Sequence, residues 1–395
     1  MKVAVDEVEV LTADLVAVRR ELHALAEVGL DLPETQALLL RELAGLGLEI
    51  TTGTALSSVT AVLRGALPGP SVLLRADMDA LPVVEATGLP FASSRGTMHA
   101  CGHDLHMAGL LGAARILAGR RDELAGCVVF MFQPGEEGYA GARSMIDEGV
   151  LDAAGAPPVA AFALHVDTMT DGGTFVTRPG PMMAGVSAAT LTVRGTGGHA
   201  AMPHQGIDPV PVAAELVLAV QSYAARRLPV TDPAVLSVTG LRSDSAAGNV
   251  LSETVTLVLN MRTFSDATRS RVRDDLPALL TGIARAHGCD LETQWVDSYP
   301  VTVNDPDETA AVLDMLRAAH GVERVRVLDA PSPASEDFAY VLERVPGTLV
   351  FLGVAPAGQR APLHSDRAVF DDSHLGLHAA TLAELAWERL HRTGP

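Results

Sequence analysis

The alternation of apolar and polar positions divides the chain into two rhythms. Residues 12–28 place Leu15, Val18, Leu22 and Leu25 on one helical face. Residues 33–47 (PETQALLLRELAGLG) predict a second helix, with Pro33 at its start and glycines at its end. Val72–Leu74 predict a short buried strand, with Asp77 and Asp79 at its carboxyl end, two residues apart and so on one side. The fully apolar runs at 127–134 (CVVFMFQP) and 160–166 (AAFALHV) predict strands of a parallel sheet buried on both faces. Residues 106–121, before the first of these runs, predict an apolar helix. Around residue 184 the rhythm changes to strand 189–195, helix 211–227, strands 234–241 and 254–264, helix 268–288 and strand 289–299. That order, β-α-β-β-α-β, predicts a ferredoxin-like sandwich in one continuous piece. It interrupts the first domain, because more of the first rhythm follows. Helices are expected at 305–321, at 332–347 with Ser335 as N-cap, and at 374–392, with a buried strand at 348–354. The expected fold is α/β: a mixed, mostly parallel sheet flanked by helices over 1–183 and 298–395, with an inserted domain at 184–297.

Length and charge narrow the class. At 395 residues the chain exceeds one ordinary core, which fits two domains. Its formal net charge of −19 argues against nucleic acid and anionic membranes as partners. Three cysteines (Cys101, Cys127, Cys289) make no disulfide framework and fit a reducing compartment. Asp6, Glu7 and Glu9 stand where a signal peptide would have its apolar core. No apolar run approaches the roughly 20 residues that span a bilayer. These features set the expectation of a cytoplasmic protein.

The densest chemistry is His99-Ala-Cys101-Gly102-His103-Asp104-Leu-His106: three imidazoles, a thiol and a carboxylate in eight residues. Cysteine and histidine are transition-metal ligands, and Gly102 permits a tight fold between Cys101 and His103. The expected position is a loop entering a helix N-terminus, where Asp104 suits the dipole. Further ligands can come from Gln133-Pro-Gly-Glu136-Glu137-Gly138, from His165 and from His364. The candidates Cys101, His103, Glu137, His165 and His364 exceed one tetrahedral structural site. They suit two catalytic cations that share a water, lower its pKa and clamp a tetrahedral intermediate. Glu136 is then free to take the water's proton and pass it to a leaving amine. Mixed ligation of this kind suits zinc, manganese, cobalt or nickel. Asp77 and Asp79 read either as turn formers or as carboxylates that hold a ligating imidazole. A competing enzyme reading makes Cys101 a nucleophile, and a closed structural metal site is a third; both leave several of these residues without a task.

His199 lies in a Gly-rich loop of the inserted domain. It reads either as a loop hydrogen-bond partner or as an oxyanion donor brought by a lid or a second subunit. Asn249 and Arg262 belong to the same domain, and Arg262 could clamp a substrate carboxylate or form an interface ion pair. His23, His287, His320, His374, His378 and His391 read as structural.

RADMDALPV, MHACGHDLHMAGLLGAA, FQPGEEGYAGARSMIDEGVL, ALHV, GGHAAMPHQGIDPV, SEDFAYVLERVPG and PLHSDRAVFD occur in that order between residues 75 and 372. Together they resemble the aminoacylase and carboxypeptidase family of dinuclear metallopeptidases (family M-twenty). The branch resembled is that of bacterial hippurate hydrolases, N-acyl-amino-acid amidohydrolases and plant auxin-conjugate hydrolases. The resemblance implies metal ligation by Cys101, His103, Glu137, His165 and His364, with Glu136 as base and Asp79 as orienting aspartate. It also implies a catalytic domain with an inserted dimerisation or lid domain, and His199 donated across a homodimer. Two motifs depart from the family: LHALAEVGL lacks a His-Pro after LHA, and VTLVLNMRTF lacks a Gly-Thr before Arg262. The expected activity is hydrolysis of a small-molecule N-acyl amino acid or related amide. The alternatives are a dipeptidase, an N-acetyl-diaminopimelate-type deacetylase, or an idle small-molecule binding protein on the same fold.

Overall fold

The structure is a computed structural model and describes residues 5–392. Its contacts fall into two compact units. The first comprises residues up to Met182, Val303–Ala330 and the chain from Asp337; the second comprises Met183–Thr302 and Pro331–Glu336.

The first unit is built on an eight-stranded sheet. Six of its strands are β1 (Glu49–Thr52), β2 (Val59–Arg64), β3 (Leu67–Asp77), β4 (Ala125–Gln133), β5 (Ala160–Asp171) and β6 (Phe175–Thr177). With the strands Gly347–Ala355 and Val325–Val327, the order is β1-β2-β4-β3-β5-(347–355)-β6-(325–327). The central strands β4, β3, β5 and Gly347–Ala355 run parallel, and β1, β2 and β6 add antiparallel pairings. Residues 71–77 of β3 are all buried, as expected of a strand covered on both faces. Three helices pack together and onto this core: α1 (Val5–Leu25), α3 (His103–Ala118) and the C-terminal helix Leu375–His391. Between the first two lies α2 (Pro33–Leu43), with proline in its first turn.

The apolar stripe read from the sequence is the stripe that is buried: Leu15, Val18 and Leu22 lie in the core beside Leu39, Leu105 and Phe130. α3 carries Gly109 and Gly112 in its interior, where glycine costs about 1 kcal/mol relative to alanine. Close packing explains them. A Cβ on Gly109 would lie 1.9 Å from Nδ1 of His378, and one on Gly112 would lie 2.5 Å from Cβ of Ala379. The glycines let α3 lie against the C-terminal helix, which fixes the depth of its N-terminus at the carboxyl ends of β3, β4 and β5. In open parallel sheets that edge is where ligands bind.

The second unit is an antiparallel sheet in the order (234–243)-(254–263)-(185–194)-(290–299). The helices Pro209–Arg227 and Asp266–Ala286 follow its first and third strands, completing β-α-β-β-α-β. Leu216, Val220, Leu276 and Leu280 pack with Leu191, Val193, Leu257 and Leu259. Along Thr254–Thr263 buried and less buried residues alternate, as in a sheet covered on one face. Asp208 and Ser265 cap the two helices by accepting from the amides of Val210 and Thr268.

One element differs from expectation. Residues 332–347 form no long helix, and the helix there is confined to Ala339–Leu342. The amide of Ala184 donates to the carbonyls of Ser332 and Ala334, and the Ser335 hydroxyl accepts from Arg262. Non-local hydrogen bonds thus take the groups a helical first turn and an N-cap would need. No helix among the described residues is long and apolar enough to cross a membrane.

Candidate metal centre

Four short segments bring ligand-type side chains to the ends of β3, β4 and β5. Gly102 stands before α3 with φ +81°, and a Cβ there would lie 2.4 Å from Val166 Cγ2. Glycine is therefore required by conformation and by space. It turns Cys101 and His103 toward the sheet, with His103 as the first residue of α3.

The Glu136–Glu137 turn follows β4. The carboxylate of Asp79 accepts from both of its amides, Glu136 N at 2.8 Å and Glu137 N at 3.0 Å. This resolves the geometry of adjacent glutamates: in a strand they would face opposite ways, whereas here one carboxylate holds the pair in a turn. His165 stands in β5 beyond Ala163, the last residue that pairs with β3. His364 arrives from a loop with φ +67°, its amide donating to Ala100 O at 2.9 Å. A left-handed histidine is a strained conformation of the kind that persists where the surroundings dictate it.

The imidazoles are aimed by their second nitrogens. Nδ1 of His103 donates to the main-chain carbonyl of Asp79 (2.7 Å), and Nδ1 of His165 donates to the carbonyl of Val166 (2.7 Å). Each ring then presents Nε2 to the same place. Asp79 meets His103 twice: its carbonyl accepts from Nδ1, and its carboxylate, while it holds the glutamate turn, lies 3.7 Å from the same nitrogen.

Nε2 of His165 lies 3.6 Å from Cys101 Sγ, and Nε2 of His364 lies 3.1 Å from Glu137 Oε1. Ligand atoms of Cys101, Glu137 and His364 all lie within 4.8 Å of one another, and so do those of His103, Glu136 and Glu137. A third group of the same tightness is Asp77, His103, His106 and His165. Cys101, His103, His165 and Glu136 are buried, Glu137 is half-buried and His364 is exposed.

A cation fits this donor set. Nε2 of His103 is buried with no hydrogen-bond partner, an arrangement that costs about 1–3 kcal/mol when nothing compensates. Burial would push the Cys101 thiol up, but His165, His103 and His364 bring it down to about 6, so a thiolate is present at neutral pH. Hydrogen bonds to Cys101 and Glu137 raise His364 to about 10. Burial works to raise the Glu137 carboxyl, and His364 and His103 bring it below its usual value. Negative ligands gathered in a buried pocket call for positive charge. The clustered donors suit two divalent cations.

His106 and Asp77, to which the sequence reading gives no settled role, lie behind this set. His106 donates from Nδ1 to Asp77 (2.5 Å), and its Nε2 accepts from the amide of Val166 (2.8 Å). Burial lowers the ring to about 3 despite the Asp77 charge, so it is neutral. His23 is structural, as read. Its ring bridges Asp104 (2.7 Å) and Glu85 (3.1 Å), tying α1 to α3.

His199, Asn249 and Arg262 belong to the second unit. His199 is exposed on a two-residue strand paired with Val250–Leu251, and its Nδ1 accepts from the amide of Ala201. The carbonyl of Asn249 accepts from the amide of Ala200, which places the two residues on neighbouring backbone. Arg262 donates to Pro333 O and Ser335 Oγ, both at 3.3 Å.

The model of the peptidase family M20/M25/M40 matches residues 73–388. The chain is 38% identical over 345 residues to N-acetyl-L-cysteine deacetylase of Bacillus subtilis, covering 87% of this chain and 81% of that one. It is 35% identical over 379 residues to thermostable carboxypeptidase 1 of Saccharolobus solfataricus, covering 94% of each. Among solved structures, the YXEP protein of Bacillus subtilis, described as a dinuclear metal-binding peptidase, superposes with a TM-score of 0.84 at 32% identity, covering 97% of this chain and 99% of that one. With more than half its length matched by the family model, and these relatives matched nearly end to end, the chain belongs to peptidase family M20/M25/M40.

Proposed function

We propose that the protein is a metal-dependent amidohydrolase that removes the acyl group from an N-acyl amino acid or a related small amide. The observation that carries this is a buried glutamate, Glu136, set beside a cysteine, histidine and glutamate donor set on a turn held by Asp79. In this reading Cys101, His103, Glu137, His165 and His364 hold two divalent cations, drawn from zinc, manganese, cobalt and nickel. When bound, the cations supply Lewis acidity and lower the pKa of a shared water. Glu136 takes the proton from the attacking water and hands it to the leaving amine as the tetrahedral intermediate collapses. No covalent acyl-enzyme forms, so Cys101 serves as ligand and not as nucleophile. Asp79 fixes the Glu136–Glu137 turn, which sets where the base stands.

His199 is assigned to the developing oxyanion, and Arg262, with Asn249, to the substrate's carboxylate end. The second unit would serve as a dimerisation or lid domain of a cytoplasmic homodimer. The test is hydrolysis of a panel of N-acyl amino acids, dipeptides and N-acetyl-diaminopimelate by the apo-protein with each metal restored in turn. N-acyl amino acids are expected to be cleaved fastest. Faster turnover of dipeptides, or of the diaminopimelate derivative, moves the assignment within the family. Binding without turnover of any substrate and metal contradicts it.

A further inference from the structure

A buried polar chain runs from the far side of β3 to the ligand-type imidazole of His165. Asp337 accepts from Arg75 Nη2 (2.9 Å), from Gln133 Nε2 (2.8 Å) and from the amide of Ala142 (2.9 Å). Arg75 also donates from Nε to Gln133 Oε1 (2.8 Å) and from Nη1 to Asp77 Oδ2 (2.7 Å). The other oxygen of Asp77 takes Nδ1–H of His106, and Nε2 of His106 takes the amide of Val166. The carbonyl of Val166 in turn holds Nδ1 of His165, whose Nε2 faces Cys101 Sγ. Arg75, Asp77, His106, Gln133 and Asp337 are each at most 3% exposed.

A buried ionic network is weak evidence of stabilisation, since well-packed apolar residues often do as well. What this one supplies is position. β5 pairs with Gly347–Ala355 through Val166, but with β3 only as far as Ala163, so on the β3 side Val166 lies three residues beyond the last rung. The His106 ring is the acceptor for its amide. Both ring nitrogens are engaged, one as donor and one as acceptor, so His106 keeps no lone pair for a cation even though its ring lies within 4.8 Å of the donors of His103 and His165.

We propose that His106 is a positioning residue. Its Nε2 fixes the Val166 peptide and through it the direction of His165, while Asp77, backed by Arg75 and Asp337, fixes the ring. This rests on the metal-centre reading above.

Two substitutions separate the two ends of the ring. In His106→Asn the side-chain amide replaces Nδ1 and can still donate to Asp77, but nothing reaches Val166. In His106→Gln the side-chain carbonyl stands near the position of Nε2 and can still accept from Val166. The affinity of the full-length apo-protein for Co²⁺ is measured by competition with a chelator, with circular dichroism as the check on folding. The asparagine variant is expected to bind cobalt about 10–100-fold more weakly, and the glutamine variant to stay within about threefold of the parent. A merely structural histidine would shift thermal stability in both and leave this split absent. Equal affinities in all three proteins, equal losses in both variants, or a larger loss in the glutamine variant overturns the proposal. A second measurement needs no variant. Imidazole ¹⁵N shifts of the parent apo-protein should show His106 neutral with its proton on Nδ1, before and after cobalt is added. A proton on Nε2, or cobalt on either nitrogen, overturns it. A parent protein that binds no cobalt contradicts the metal reading itself, and is recognised before any variant is compared.

Discussion

The side chains that carry chemistry are held in opposite ways in the two units. In the first, most are fixed from behind: His103 by the Asp79 carbonyl, His165 by the Val166 carbonyl, and the Glu136–Glu137 turn by the Asp79 carboxylate, with the exposed His364 as the exception. In the second, His199 is exposed and its ring accepts from an amide two residues along its own loop. A group already held in place spends little entropy when a ligand arrives, whereas an exposed one must be ordered in the event. The first unit is therefore built to bind and activate before substrate is present. The chemistry assigned to the second is of the kind that acts once substrate is in place.

That contrast can be broken by substitution. Glu136→Gln should lower kcat by at least about 100-fold, because the amide cannot take a proton, while metal content stays at the parent level; near-normal turnover removes Glu136 from its role. His199→Ala should cost on the order of 100-fold in kcat, as loss of an oxyanion donor does elsewhere, again with metal content intact. Loss of metal in this variant would make His199 a ligand and erase the distinction between the units. Asp79→Asn removes a carboxylate oxygen that the glutamate turn and His103 both face, while leaving the carbonyl that accepts from His103. Turnover should fall about 10-fold or more, with metal affinity falling less. A pure loss of metal with normal kcat per loaded site would contradict the role of the Asp79 carboxylate in placing Glu136.

The smallest effect concerns the tether between α1 and α3. Burial works against a charged His23, but Asp104 and Glu85 outweigh it and raise the ring to about 9. A raised pKa contributes stability that is complete below about 6.5 and is lost as pH rises through about 9. The melting temperature of the parent should exceed that of His23→Gln most at pH 6 and least above pH 9. A gap that widens with rising pH contradicts the assignment.

Much of this architecture is legible in the chain because apolar spacing records which face is buried. Leu15, Val18 and Leu22, the runs at 127–134 and 160–166, and the β-α-β-β-α-β order after residue 184 all reach the structure as strands and helices of the expected kind. The edge strand β1, Glu-Ile-Thr-Thr, is mostly exposed and carries no periodic signal. The stretch 332–347 has helical composition, yet its backbone is committed to Ala184 and its Ser335 to Arg262, partners that no local pattern reveals. The same limit hides the supporting layer of the metal centre. Residue type and clustering point to Cys101, His103, Glu137, His165 and His364. That Asp79 adds its carbonyl to the imidazole and lends its carboxylate to the turn is a matter of tertiary placement, as is the chain from Asp337 through Arg75 and Asp77 to His106.

The most direct test of the central claim is turnover of an N-acyl amino acid before and after exhaustive chelation, with metal counted per chain. Activity should vanish with the metal and return as divalent cation is restored to two ions per chain, whether or not accessible thiols were alkylated elsewhere. Activity that survives complete chelation but disappears on alkylation of Cys101 would make that residue the nucleophile and contradict the account.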